Sequence, residues 1–375
     1  MGICESNESN KSGSTNNGAL TNKSNNKNTS QKNPLIRINI TPDNNYNTSS
    51  FSDNNSNNRN PNNDFSNEHN KTSIPQTTSA ENVNINSKIN FKCVQSKEKH
   101  NDIIVCLIEL KSGKIATCSY DKTIKIWDLN SFECIKEIPT LVKIFCLLEF
   151  ESDKLLCGAE NKEIELYDIN TSKKQTAFQG HLLWVNCLVK CNDFFFASGS
   201  NDTDIRIWNY SKQEQIKVLS DHSKEVLALI KLEDGRLCSG GADLSIKIWN
   251  WETGECVATL IGHLRWIKCI LELSNGNIIS GSDDKTIRIW DKNNQLLCIN
   301  KLIGHEKSVR ALCQLSDNLI ASASFDKTIK IWDLKTNECV QTLNDHNDKV
   351  VCLLKTSEYL ISASGDKTIK FWKNV

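Results

Sequence analysis

The N-terminus holds the residues whose types and spacing point most directly to chemistry. Met1-Gly2-Ile3-Cys4-Glu5-Ser6 matches the N-myristoylation pattern, in which loss of Met1 exposes the Gly2 amine for acylation and Ser6 fills the preferred hydroxyl position. Cys4 stands two residues from that amine, so a myristoylated terminus resting on a bilayer presents its thiol for palmitoylation. A single myristoyl chain binds with only about 10⁴ M⁻¹, and a second chain makes the anchor stable. Through residue 40, Lys11, Lys23, Lys27, Lys32 and Arg37 outnumber Glu5 and Glu8, which favours an anionic leaflet. The expectation is dual acylation at Gly2 and Cys4, and a place on the cytoplasmic face of a membrane.

Other reactive groups offer less. Asp283-Asp284 reads at first as a carboxylate dyad, but aspartate is a common turn residue. Gly240-Gly241 is not followed by the Gly-Lys-Ser/Thr of a phosphate loop. The sixteen cysteines contain no Cys-x-x-Cys metal knuckle. Cys106, Cys146, Cys187, Cys269 and Cys352 form one repeating column, and Cys93, Cys134, Cys256, Cys298 and Cys339 another. Equivalent places in a repeat face the same way, so both columns read as small buried strand residues rather than disulfides. That usage fits a reducing cytosol. Neither a metal nor an organic cofactor is expected.

The elements that carry these residues fall into two materials. Asn supplies 26 of the first 90 residues. Apolar islands there are short, so residues 1–88 are expected to be a disordered leash. Within it, the Pro34 to Ile40 island has the composition of a short docking peptide. No run of about 18 apolar residues exists to span a membrane, and no apolar signal core opens the chain. Lys plus Arg and Asp plus Glu number 45 each, a balance that gives no global attraction to nucleic acid.

From residue 91 the pattern is strands. Asp326-Lys-Thr-Ile-Lys-Ile-Trp332-Asp333 recurs as Asp121 to Asp128, as Asp284 to Asp291 with one Arg for Lys, and as Asp366 to Trp372. Looser copies close at Trp208 and Trp249, and a degenerate one at Tyr167. Successive closing aromatics lie 40, 41, 41, 41, 42 and 40 residues apart. A period near 40 with four alternating apolar runs per unit (Val309 to Leu315, Leu319 to Ser322, Thr328 to Trp332 and Glu338 to Leu343 in the sixth) describes the blade of a β-propeller.

These residues resemble the WD-repeat β-propeller family over residues 91 to 375. Gly180-His181, Gly262-His263 and Gly304-His305 give the Gly-His half of its signature, relaxed at His100, His222 and His346. The interval from His to Trp is 27 residues in five units and 26 in the last. The resemblance implies an all-β, seven-bladed propeller over residues 89–375. It also implies a side-chain relay in each blade: His100, Thr117, Asp121 and Trp127; His181, Ser198, Asp202 and Trp208; His222, Ser239, Asp243 and Trp249; His263, Ser280, Asp284 and Trp290; His305, Ser322, Asp326 and Trp332; His346, Ser362, Asp366 and Trp372. The second blade lacks all of these roles around Cys157, Asn161 and Tyr167, and is expected to rest on packing by Leu141, Ile144, Leu147 and Leu155. Residues 91 to 97, which repeat the pattern of Glu338 to Gln341, are expected to complete the seventh blade beside residues 366 to 373.

Six of the seven histidines are thereby assigned to architecture, and the last, His69, lies in the leash. No histidine is left for general-base work, and the expectation is a non-enzymatic scaffold. In the family, partners meet the rim of the central channel. The positions carried across are Tyr120, Phe145, Trp184, Asn186, Asn201, Trp266, Lys268, Asp283, Arg310 and Phe325. Their aromatic and cationic character predicts protein or peptide partners, no nucleic acid, and a chain that is monomeric alone. A substrate-recognition subunit of a ubiquitin ligase is one alternative, although Trp332-Asp333-Leu334-Lys335 ends in Lys where that subgroup has Arg. A soluble regulatory subunit of a signalling or trafficking complex is another. A G-protein β-like subunit is disfavoured, because residues 1–88 contain no heptads.

Overall fold

In the computed structural model the protein is described at residues 89–292 and 296–375, with the backbone of Ile36–Ile38. The expectations for the leash, including those for Gly2 and Cys4, lie outside the described residues. The exception is Ile36–Ile38, a strand set parallel to Ala258–Leu260.

Among the described residues the chain forms seven antiparallel sheets of four strands, one of them extended by Ile36–Ile38, and no helix. The first blade runs Ile104–Glu109, Ile115–Ser119, Thr123–Trp127 and Cys134–Pro139, and the others repeat it. The innermost strands, Ile104–Glu109, Ile144–Glu151, Val185–Lys190, Val226–Lys231, Ile267–Glu272, Val309–Ser316 and Val350–Lys355, touch in that order, and the last touches the first. This closes the expected seven-bladed ring.

Second strands such as Ile115–Ser119 and Leu360–Ser364 are buried at every residue, because each is covered by a neighbouring blade on either face. That sandwich demands small side chains at one level. The residue after each relay hydroxyl is Cys118, Gly199, Gly240, Gly281, Ala323 or Ala363, with Gly158 in the second blade. A Cβ on Gly240 would stand 2.6 Å from Ile267 Cγ2, and one on Gly199 2.6 Å from Val226 Cγ1.

The seventh blade takes its outer strand from the other end of the ring. Phe91–Glu98 pairs antiparallel with Thr368–Asn374, Phe91 opposite Asn374 and Glu98 opposite Thr368. The Gln341 side chain mimics a further strand: its oxygen accepts the Phe91 N–H at 2.9 Å, and its amide donates to the Phe91 carbonyl at 2.8 Å. An edge that would otherwise template aggregation is covered.

Two expectations need correction. Ile144, Leu147 and Leu155 are buried in the second blade, but Leu141 is 85% exposed. The blade instead contains a polar cluster. Glu165, only 2% exposed, accepts from Tyr167 Oη at 2.9 Å, Lys174 Nζ at 2.6 Å and Asn161 Nδ2 at 3.2 Å. Neither cysteine column is uniformly buried: in the first, Cys146 and Cys352 are buried but Cys106, Cys187 and Cys269 are half-buried, and in the second none is buried. The residues of the second column lie on the outermost strands, which are covered on one side only, so Cys93, Cys134, Cys256 and Cys298 are half-buried and Cys339 is exposed. All fifteen described cysteines are free thiols.

Candidate functional site

The turn between the second and third strands decides where the rim side chains stand. In blade six the Asp326 carboxylate accepts from His305 Nδ1 at 2.7 Å, from the Glu306 N–H at 3.0 Å, and from the Thr328 N–H and hydroxyl at 2.9 and 2.7 Å. His305 Nε2 meets Ser322 Oγ at 2.7 Å, and Trp332 Nε1–H donates to the same oxygen at 2.7 Å. A carboxylate only accepts and an indole N–H only donates, so the protons run one way: Trp332 to Ser322, Ser322 to His305, His305 to Asp326. The same chain of bonds joins His100, Thr117, Asp121 and Trp127. It recurs for His181, Ser198, Asp202 and Trp208, and for His222, Ser239, Asp243 and Trp249. His263, Ser280, Asp284 and Trp290, and then His346, Ser362, Asp366 and Trp372, complete the set.

Electrostatics follow from burial. It lowers the pKa of His100 and His263 against the pull of Asp121 and Asp284. It also opposes the charge on Asp202, but the bonds from His181 and the Leu182 N–H outweigh it and hold that carboxyl at about 2. Asp243, Asp284, Asp326 and Asp366 are held low by the same contest. All six histidines are buried, with both ring nitrogens bonded inside the blade.

The relay also acts outward. The Asp carboxylate pins the backbone N–H of the residue after each His: Asn101, Leu182, Ser223, Leu264, Glu306 and Asn347. The residue before each Asp then donates its N–H to the carbonyl two residues further along that loop: Tyr120 to Ile103, Asn201 to Trp184, Asp283 to Trp266 and Phe325 to Ser308, at 2.9 to 3.0 Å. These bonds carry the predicted positions to one face, the face of the His loops.

Seven of the ten predicted residues, Tyr120, Phe145, Trp184, Asn186, Asn201, Lys268 and Arg310, line one cavity of about 320 Å³. Val105, Leu227 and Val351 complete its wall. Every blade contributes one of these side chains from the same place on its innermost strand, so the cavity lies on the ring axis. Tyr120, Phe145 and Trp184 form a continuous aromatic ledge over three blades, with ring centroids 5.9 and 5.3 Å apart. Across from it, Phe325 lies under the Arg310 guanidinium at 5.0 Å. Trp266 and Asp283 face a neighbouring hollow of about 490 Å³, shared with Leu244, Leu264 and Arg265. Lys268 Nζ sits 4.4 Å from the Trp266 ring and 3.6 Å from Asp283 Oδ2. Asn186 bridges two blades, donating to Asn201 Oδ1 at 2.7 Å and to the Val226 carbonyl at 2.8 Å. Trp184 is 49% exposed and Trp266 44%.

Six segments, residues 91–128, 172–209, 213–250, 254–291, 296–333 and 337–373, match the WD domain, G-beta repeat, and together span more than half of the chain. The chain belongs to the WD-repeat family. No curated protein matches it. WD-repeat propellers generally serve as non-catalytic platforms for protein partners. The unmatched stretch from 129 to 171 holds most of the second blade, where Glu165 and Tyr167 replace the relay of the other WD repeats.

Sequence reasoning missed three strongly exposed leucines of this WD-repeat face. Leu141, Leu182 and Leu264 are 85%, 68% and 60% exposed. Leu182 and Leu264 hold the position after the His, and Leu141 its equivalent in the second blade. The signal was present: the same position is Asn101, Ser223, Glu306 or Asn347 in the other blades. Leu182 and Leu264, whose backbone N–H groups are pinned to Asp202 and Asp284, cannot withdraw their side chains from solvent.

Proposed function

We propose that this WD-repeat protein is a non-catalytic adaptor that docks protein or peptide partners on its His-loop face. Acyl chains on Gly2 and Cys4 hold it at the cytoplasmic side of a membrane. The observation that carries the docking reading is the pair of half-exposed tryptophans, Trp184 and Trp266, each beside a solvent-facing leucine on a loop that the turn Asp holds in place. Aromatic anchors of this kind, clustered near a cationic centre, dominate the energetics of protein interfaces, and exposed apolar clusters mark interaction sites. The anchoring reading is supported by the first six residues and by the need for two lipids for stable attachment.

Trp184→Ala combined with Trp266→Ala is the test of docking. Proximity labelling in intact cells identifies the partners, and affinity capture of those partners should show a loss on the order of a thousandfold in affinity, since each of the two anchors is worth about 2 kcal/mol or more. Retained capture by a ring of unchanged melting temperature would sink the docking reading. Gly2→Ala should move the protein to the soluble fraction, and an unchanged membrane fraction would sink the anchoring reading.

A further inference from the structure

We infer that the docked peptide places an acidic group, a carboxylate or a phosphate, in the axial cavity against Arg310 and Lys268, with an apolar neighbour on the Tyr120–Phe145–Trp184 ledge. This rests on the His-loop face being the partner site.

The cavity is chemically lopsided. Of the seven side chains that the innermost strands place around the axis, two are cationic, on adjacent blades, and none is acidic. Arg310 makes no ion pair or hydrogen bond among the described residues, and its Nε is buried without an acceptor. A guanidinium carries five donors and no acceptor, and buried donors left unpaired are costly. Stacking on Phe325 holds the plane in place without satisfying those donors.

The nearby acids are otherwise engaged or lie outside the cavity wall. Asp283 faces Lys268 at 3.6 Å and accepts the Ser308 hydroxyl. Glu225 acts on Lys268 only through its field. Burial, and then the Arg310 charge, bring the Lys268 ammonium down to about 8 despite both acids. The Arg310 charge is also felt at Tyr120, Cys269 and Cys352, on three blades. An anion seated between the two cations supplies the acceptor that Arg310 lacks and relieves their mutual repulsion. A guanidinium fork suits a two-oxygen anion in particular. The adjoining ledge, with Leu182 and Trp184 at its outer end, takes the apolar residue that a peptide presents beside its acidic one.

The test uses the full-length chain and fluorescent peptide libraries. In each library one central position is fixed as Asp or Glu, phosphoserine, Ser or Asn, or Lys, and the flanks are randomised. Polarisation at constant salt should give at least one acidic library binding about tenfold tighter than the Ser or Asn library, the weight of one charge-assisted hydrogen bond. The tighter of the two acidic libraries separates carboxylate from phosphate. Arg310→Gln, with an unchanged melting temperature, should reduce the acidic libraries to the level of the neutral one, and Arg310→Lys should restore part of the difference. Equal binding of all libraries, a preference for Lys, or an acidic preference that survives Arg310→Gln overturns the inference. If Trp184→Ala with Trp266→Ala abolishes binding to libraries that show no acidic preference, the docking face stands and this inference alone fails. Absence of binding by every library overturns both.

Discussion

Replacing Ser322 by Ala tests whether the relay stabilises the ring through its hydrogen bonds or merely fills space. Ser322 is fully buried, and its hydroxyl is the middle link, accepting the Trp332 indole N–H and meeting His305 Nε2, both at 2.7 Å. Alanine removes that link and leaves two buried polar groups without partners. Each costs about 1–3 kcal/mol, so the loss should be about 2–5 kcal/mol. For a ring of this size that corresponds to a fall in melting temperature of about 5–15 °C. Equilibrium urea unfolding followed by far-UV circular dichroism measures it without relying on indole fluorescence. The decisive control is a double-mutant cycle. Trp332→Phe deletes the donor, so Ser322→Ala in that background strands one group instead of two and should cost at least about 1 kcal/mol less. Additivity within about 0.5 kcal/mol, the behaviour of independent sites, or a single-mutant loss below about 1 kcal/mol, would refute the reasoning.

Stability should depend on pH in a fixed direction. The folded values of Asp202 and its counterparts lie below the unfolded carboxylate value near 3.9, so their contribution is complete above about pH 4 and is lost as pH falls toward about 2. His100 and His263 also lie below their unfolded value of about 6.5, so erosion starts there; melting temperature should decline below pH 6.5 and steepen below 4, and a maximum at pH 4 to 5 would contradict this. Glu165→Ala leaves the buried Tyr167 hydroxyl without its acceptor, while Lys174 and Asn161 keep Glu163, and should cost about 1–3 kcal/mol, with amide exchange accelerating in the second blade first; uniform acceleration around the ring counts against it. Gly240→Ala drives a Cβ into Ile267 and should cost about 1–3 kcal/mol, and a neutral result by denaturant midpoint would mean that the two blades can move apart at no cost.

The ring was legible because its contacts repeat. A relay built six times at nearly the same interval leaves a spacing that chance does not produce, and the rim positions that the family resemblance implies could be carried onto that register. Ser322 and Thr117 could be placed because the resemblance implies a hydroxyl there, and in the structure each reaches a His and a Trp at once. The second blade was opaque because its substitutions are correlated. Glu165 stands where the other blades carry Lys125, Arg206, Lys247, Arg288, Lys330 or Lys370, and it pairs with Lys174 on the outer strand. In the first blade Lys125 on the third strand pairs with Glu137 on the outer one, so the ion pair persists with its signs exchanged. Leu141 was read as core because apolar residues usually go inside. Its place on the His-loop, equivalent to the exposed Leu182 and Leu264, overrides that preference.

The closing strand also sets how the ring meets mechanical load. Phe91 lies opposite Asn374, and the Val375 N–H donates to the Asn90 carbonyl at 3.1 Å. Tension from the chain preceding residue 89 therefore enters the ring at its clasp, at the end of the antiparallel pair where Phe91 and Asn374 meet. If the opposing load is borne at the Asn374 end of the paired strand, the pull peels the ladder one hydrogen bond at a time rather than shearing all of them together. Resistance then falls on the first bonds to yield, and the Gln341 amide, which grips Phe91 from the next blade, acts as a catch on the zipper's first tooth.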